Sequence, residues 1–398
     1  MKPDSLPLYQ ASTPAPQGLP LLRLGFRPFY IGGALLAALA VPLWVAMFLG
    51  QLAWQPQVPP LLWHVHEMLF GFAAAIIVGF LLTAAKNWTG LATPRGPALA
   101  ALALLWLAAR LASLTGPYAL YAALDLALLP AVAVVLLRLL MRARNQRNLP
   151  LVALLFLLAL ANLFFHLAQM QLVRIAALTP LHAALALIVM IECVMAGRVV
   201  PAFTMAVTPG LWITATRWAE PLILGATGVG LALWVFSAPA LPTFAVLGVA
   251  SALHLRRLLS WNPRCTLTRP ILWILHAAYA WIPMGLALLA LAQFDLLPAS
   301  AGIHALAVGA TGGLIIGMVT RTARGHTGRL LQVSQPEVLA YALVLGAAVL
   351  RVFVPLLVPA LMGPALTLAA AAWSLAFLIY LWRFAPWLMS TRLDGKDG

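Results

Sequence analysis

Apolar positions along the chain gather into long unbroken runs. They fall at roughly 29–49, 61–84, 98–114, 118–140, 151–172, 180–200, 219–237, 241–259, 270–292, 301–320, 337–359 and 364–384. At about 18–25 residues each, they are long enough to cross a hydrocarbon core of about 30 Å. Lipid offers the backbone no hydrogen bonds, so each run predicts a helix that closes its own bonds, not a strand. The third and fourth are separated by a tight break at Thr115-Gly116-Pro117. The expected fold class is all-α, a polytopic membrane protein with about twelve transmembrane helices.

Composition supports lipid as the main solvent. The 398 residues are 64% hydrophobic and 8% charged, whereas a soluble domain carries roughly 25% charged residues. The formal net charge of +15 does not point to nucleic acid, because the basic residues sit between apolar runs and form no basic stripe with exposed aromatics. All of the 24 Lys and Arg except Arg110, Arg174 and Arg351 fall in alternate loops or the termini. With an even helix count this puts them on one side, which the positive-inside rule makes the cytoplasm, with both termini there. The domain organisation expected is an N-terminal cytoplasmic tail at 1–22, a membrane domain at 23–386 and a C-terminal cytoplasmic tail at 387–398. The two cysteines, Cys193 in an apolar run and Cys265 in a basic loop, support no disulfide framework, and no Cys-x-x-Cys-His motif for a c-type haem is present. Residues 1–22 are polar and Pro-rich and do not resemble a cleavable signal peptide.

With so few polar groups in the apolar runs, each ionisable residue there is a functional candidate. His64 and His66 open the second run, His166 lies near the end of the fifth, His182 opens the sixth and His304 the tenth. These five are expected in the outer third of the membrane at similar depth, with His254, His276 and His326 nearer the basic loops. Imidazole is a common ligand of copper and haem iron, and histidines from several helices at one level can surround a metal in a bundle. Against this stands the ordinary structural role that any single buried histidine can have. His64 and His66 are two residues apart and point to roughly opposite sides of a helix, so as ligands they would serve different centres.

His66, His182 and His304 also repeat, each opening a helix four runs from the last, and His66 and His304 are each followed 13 residues later by a glycine and then a threonine (Gly79 and Thr83; Gly317 and Thr320). Glu67 is placed to orient His66, to accept protons or to cap the helix. Glu192, roughly 15 Å below His182 at 1.5 Å per residue, is placed for a proton path or a polar pairing. Asp125 and Arg110 share a depth that suits an ion pair. Arg351 is placed to hold a haem propionate or a structural partner, since the guanidinium forks onto a carboxylate. Arg321, Arg324 and Arg329, in a loop rich in glycine and threonine, suit either an anion nest or an ordinary positive-inside loop.

Three repeated four-helix units with ligands on the second, sixth and tenth helices resemble subunit I of haem-copper oxidases and the nitric oxide reductases. The chain departs from them in having no adjacent His-His pair on helix 7 and no His-x-His on helix 10. A closer resemblance lies in Gly25-Phe26-Arg27-Pro28-Phe29-Tyr30, Trp63-His64-Val65-His66-Glu67-Met68-Leu69-Phe70-Gly71, Asn87-Trp88-Thr89-Gly90, Gly197-Arg198-Val199-Val200-Pro201-Ala202-Phe203-Thr204, and the stretch from Thr320-Arg321 to Gly325-His326-Thr327-Gly328-Arg329. These resemble the NnrS family from about residue 21 to the end of the twelfth helix, with Tyr30 where a second Phe is expected. The resemblance implies a bacterial inner-membrane protein containing haem, b-type in this reading, and copper. It further implies a partner in nitric oxide or metal-nitrosyl species, and a link to denitrification and nitrosative stress tolerance. The motif histidines are His64, His66, His304 and His326. Whether NO is turned over, as by an oxidoreductase with an unnamed electron donor, or only bound is open. Two rival readings stand beside it: a secondary transporter of copper, haem or a small solute, to which twelve helices and internal repetition also belong, and a non-enzymatic sensor or metal chaperone.

Overall fold

The computed structural model describes residues 18–54, 56–214 and 218–396. Lys2, Arg217, most of the expected N-terminal tail and the last two residues lie outside them. Twelve long helices and no strands make up the described residues. They are α1 (Phe26–Phe48), α2 (Pro60–Thr89), α3 (Pro97–Thr115), α4 (Tyr118–Arg142), α5 (Gln146–Gln169), α6 (Leu178–Met205), α7 (Ala219–Val235), α8 (Ala240–Ser260), α9 (Pro270–Phe294), α10 (Ala299–His326), α11 (Gln335–Leu357) and α12 (Pro359–Leu388). All but α7 and α8 are long and apolar enough by themselves to cross a bilayer. Helix α7 has 17 residues, and α8 carries His254, Arg256 and Arg257, which lower its hydropathy. The sequence-expected all-α polytopic membrane fold is the fold observed.

Burial sorts the helices into an inside and an outside. The apolar stretch of α2 is 83% buried and those of α9 and α10 are 72% buried, against 33% for α3 and α11. Lipid therefore faces α3 and α11, while α2, α9 and α10 build the interior together with one face of α6.

Both α2 and α10 switch from α to π winding directly after a histidine. The π segments are Glu67–Ala73, after His66, and Ala305–Gly312, after His304. Such segments redirect side chains and recur at functional sites. A neighbour's side chain takes up the altered backbone of α2: the Trp106 indole on α3 donates to the Gly71 carbonyl at 2.9 Å. Each helix also has a glycine 13 residues past its histidine that admits a neighbour closely. A β-carbon at Gly79 would lie 3.0 Å from the Phe29 side chain of α1, and one at Gly317 would lie 2.8 Å from the Leu275 side chain of α9. The spaced histidine, glycine and threonine thus mark two helices with the same internal construction.

Helix α9 breaks between Pro270–Tyr279 and Trp281–Leu291. Pro283 is the cause, because its ring crowds the carbonyl four residues back, at Tyr279, and offers it no N–H. The break places the Tyr279 hydroxyl beside His254 on α8, at 2.5 Å from Nδ1. There it joins a buried group from four helices: His254 Nε2 lies 2.8 Å from the Thr227 hydroxyl and 3.6 Å from Cys193 Sγ. Arg257 reaches the Cys193 carbonyl and the Tyr279 hydroxyl, both at 3.0 Å, and pairs with Glu220. The Arg257 guanidinium lies directly over Gly197, where any β-carbon would overlap it. A Gly197→Ala variant is therefore expected to lose about 1–3 kcal/mol, read as a lowered thermal midpoint of the detergent-purified protein. A midpoint equal to wild type would refute this packing role.

At the basic end, side chains cap helix termini. Arg27 donates to the Leu388 and Ser390 carbonyls at 2.7 and 2.8 Å, closing the end of α12. Arg324 forks onto Glu337, donating from Nη2 to both carboxylate oxygens at 2.7 Å and from Nε to one of them at 3.1 Å, and Glu337 is itself half of a capping box with Ser334. Arg321 lies over the Phe203 ring at 3.7 Å and Arg329 over Trp387 at 4.1 Å. Of the three arginines placed for an anion nest, Arg324 is thus engaged by a buried carboxylate, while Arg321 lies on Phe203 and Arg329 shares the Trp387 ring with Arg324.

Candidate functional site

Polar side chains inside the bundle collect in three places near the end opposite the basic loops, or between that end and the middle.

The first is an apolar cavity of about 440 Å³ between α1, α2, α6, α10, α11 and α12. His64, His182, His304 and Arg351 border it, together with Thr311 and a lining of Leu, Val, Ala, Phe and Trp. Its volume falls in the range of sites that take a cofactor. His64 stacks on Trp44, with ring centroids 4.1 Å apart and planes 17° apart, and its Nδ1 is buried without a hydrogen-bond partner. His304 Nδ1 lies 2.7 Å from the Ser300 carbonyl. Only an N–H can donate to a carbonyl, so Nδ1 holds the proton and Nε2 keeps its lone pair for a ligand. His182 packs on Trp234 and also borders a more open recess of about 450 Å³ with Thr179, Ser237 and Gln293. Arg351 has no hydrogen-bond or ion-pair partner among the described residues, and a cation left so in an apolar wall is set to meet an anion.

The second place is a closed polar network across α2, α3, α4 and α5. Asp125 is its hub. Its Oδ2 lies 3.3 Å from His66 Nε2, 3.2 Å from His166 Nε2 and 2.6 Å from the Asn162 amide nitrogen, and its other oxygen pairs with Arg110. Arg110 also binds Glu67 at 2.7 Å. The remaining ring nitrogens are held by tyrosines, His66 Nδ1 by Tyr121 at 2.8 Å and His166 Nδ1 by Tyr118 at 2.9 Å. All three of His66, Asp125 and His166 are buried, and one ligand atom from each lies within 4.8 Å of the others. With both imidazoles neutral, two carboxylates face one guanidinium, a net charge of −1 enclosed in the membrane interior.

The third is a cavity of about 90 Å³ nearer the middle of the bundle, bordered by Tyr30, Glu192 and apolar residues of α2, α6, α9 and α10.

The seven candidate histidines therefore separate. His64, His182 and His304 meet at one cavity, and His66 and His166 meet at Asp125. His276 bonds the Thr204 hydroxyl at 3.0 Å, and His326 packs against Phe26, both away from either group. Sequence spacing grouped His66 with His182 and His304, but His64 takes that place. Two residues on a helix are about 200° apart, so the pair sends one ring to each side of α2. Glu67 faces the Asp125 side, and the expected Arg110–Asp125 ion pair is present. Asn162, Tyr118, Tyr121 and Trp44 were not singled out from sequence. Asn162 carried a signal, as an amide in an apolar run one helical turn before His166; the aromatic residues, in so aromatic a chain, carried none.

Residues 20–392 match the family described as NnrS protein. The chain belongs to the NnrS family. The match takes in all twelve helices and both histidine groups, so this arrangement belongs to the NnrS region and not to an appended segment. No protein of curated function matches the chain.

Proposed function

We propose that this membrane protein binds haem in the cavity of His64, His182 and His304, and copper at His66, Asp125 and His166, and that it takes up nitric oxide or metal-nitrosyl species there in nitrosative stress tolerance. The observation that carries the reading is the convergence of three histidines from three helices, with an unpaired arginine, on one apolar cavity.

The residues fit both groups. For haem, the cavity offers imidazoles on α2, α6 and α10, one with its tautomer already set for Nε2 ligation, an apolar wall for the macrocycle, and Arg351 for a carboxylate side chain. For copper, Asp125 Oδ2 lies 3.2–3.3 Å from the Nε2 atoms of His66 and His166, close enough for bonds of about 2.0–2.2 Å to one metal. These nitrogens face oxygen acceptors, Asn162 Oδ1 included at 3.0 Å from His66, so copper would displace the protons they carry. The tyrosines hold the opposite ring nitrogens, as outer partners of ligating histidines do. A monovalent copper would also cancel the enclosed charge of −1. When bound, these metals supply coordination sites for NO. The chain's own part is to fix the imidazoles, exclude water with an apolar lining and admit a small neutral gas without a polar channel. In this reading the basic loops face the cytoplasm of a bacterial inner membrane and the haem cavity lies toward the outer face.

Optical spectra of the purified protein, oxidised and dithionite-reduced, with and without NO, together with copper analysis, test it. Haem bands that shift with NO, and copper near one per chain, are expected. A colourless, copper-free protein made with haem available would overturn the reading in favour of a transporter. An Arg351→Leu variant is expected to hold haem about tenfold to a hundredfold more weakly, the worth of one charge-assisted hydrogen bond. Unchanged haem affinity would remove Arg351 from the site.

A further inference from the structure

We propose that Glu192 is the relay of a proton route from the basic end of the bundle to the outer cavity. The route would pass through water in the small cavity between Tyr30 and Glu192 and over the Thr311 hydroxyl. This rests on the reading of the outer cavity as a haem site, because the use of such a route is to balance the charge of an electron placed there.

Among the buried side-chain polar atoms without a hydrogen bond of normal geometry are Tyr30 Oη, Glu192 Oε2 and Thr311 Oγ1. Buried polar atoms are nearly always satisfied, and ordered water is a common partner of those that no protein group reaches. Here the three stand in sequence. Tyr30, one turn into α1 from the basic end and beside Thr322, borders the cavity of about 90 Å³. Glu192 borders the same cavity from α6 and lies beside Thr311 of α10. Thr311 in turn borders the haem cavity, and Ala73 borders both cavities, so the wall between them is thin there. A space of 90 Å³ has room for a water, which needs about 10–15 Å³ by this measure, and the Tyr30 hydroxyl and Glu192 carboxyl are its polar partners there. Among the described residues bordering that space, from α1, α2, α6, α9 and α10, Tyr30 and Glu192 are the only ionisable ones. The adjacent Cys193 turns away to His254.

The transfer balances simply. The Glu192 carboxyl gives its proton to the Thr311 oxygen while the Thr311 O–H proton passes to water in the outer cavity. Water in the small cavity returns a proton to Glu192 and takes one from the Tyr30 hydroxyl, which is reprotonated from the basic end past Thr322. One proton moves, only O–H bonds break and form, and no electron is carried.

The test compares wild type with Glu192→Gln, Glu192→Asp and Thr311→Val, all expected to retain haem. After rapid reduction of the haem, wild type should take up a proton from the medium, read with a pH-indicator dye. Glu192→Gln and Thr311→Val should slow that uptake at least tenfold, and Glu192→Asp should restore part of the rate. An uptake rate unchanged in Glu192→Gln overturns the relay. A second readout does not need haem: an infrared carbonyl band of a protonated carboxyl, absent from Glu192→Gln, that shifts on transfer to D₂O and does so more slowly in Tyr30→Phe. Absence of that band from wild type, or a band that never exchanges, overturns the relay. A protein that shows the exchanging band yet binds no haem would leave the relay standing and defeat the haem reading alone.

Discussion

A His304→Ala variant is expected to lose haem and keep copper, and a His166→Ala variant to lose copper and keep haem. The two histidine groups share α2 but no side chain. His64 turns to the cavity and His66 to Asp125, and the cavity walls come from α1, α6, α10, α11 and α12 while the polar network draws on α3, α4 and α5. His304 is the cavity histidine whose tautomer is fixed by the backbone, so its loss removes the imidazole best prepared to ligate. Removing only an outer partner of a metal-bound histidine typically costs tenfold to a hundredfold in affinity; loss of the ligand itself is expected to cost at least as much. Haem is read from the absorbance of the purified variant and copper from metal analysis of the same sample. Loss of both from either variant, with the fold intact by circular dichroism, would merge the two sites into one centre and overturn the assignment.

The second large effect concerns stability. Arg110→Ala is expected to destabilise the protein by about 3–5 kcal/mol, because it strands Glu67 and Asp125 as two carboxylates inside the bundle. Breaking a buried pair from one side costs more than removing it whole. The triple variant Arg110→Leu, Glu67→Gln, Asp125→Asn should therefore regain most of the loss while losing copper. Thermal unfolding of the detergent-purified proteins, with copper removed by chelation, separates the terms. An Arg110→Ala protein as stable as wild type under those conditions would mean that the guanidinium does not neutralise this network.

Much of the architecture was legible in the chain alone. Lipid forces every crossing segment to satisfy its own backbone, so run length and charge alternation determine helix number and approximate bounds without knowledge of neighbours. Even α7 and α8, whose length or hydropathy is marginal, were marked by the alternation of basic loops. The family was legible too, because its motifs are local strings such as the one from Trp63 to Gly71. So was the short list of residues with chemistry, since an ionisable side chain in an apolar run stands out by composition.

The partition of those residues was decided only by tertiary structure. Depth along a helix follows from counting residues, but the direction a ring faces depends on helix rotation, on the π segments that begin at Glu67 and Ala305, and on which helices pack together. Counting put His64, His66, His166, His182 and His304 on one level; packing sent two of them to Asp125 and three to the cavity. Arg324 and Arg351 make the same point. Arg324 lies among polar residues and Arg351 in an apolar run; the carboxylate of Glu337 folds against the first, and no carboxylate among the described residues pairs with the second. Sequence alone thus determined the solvent, the helices and the candidates. Which charges stayed unpaired, and around what space, was decided by contacts between helices distant in the chain.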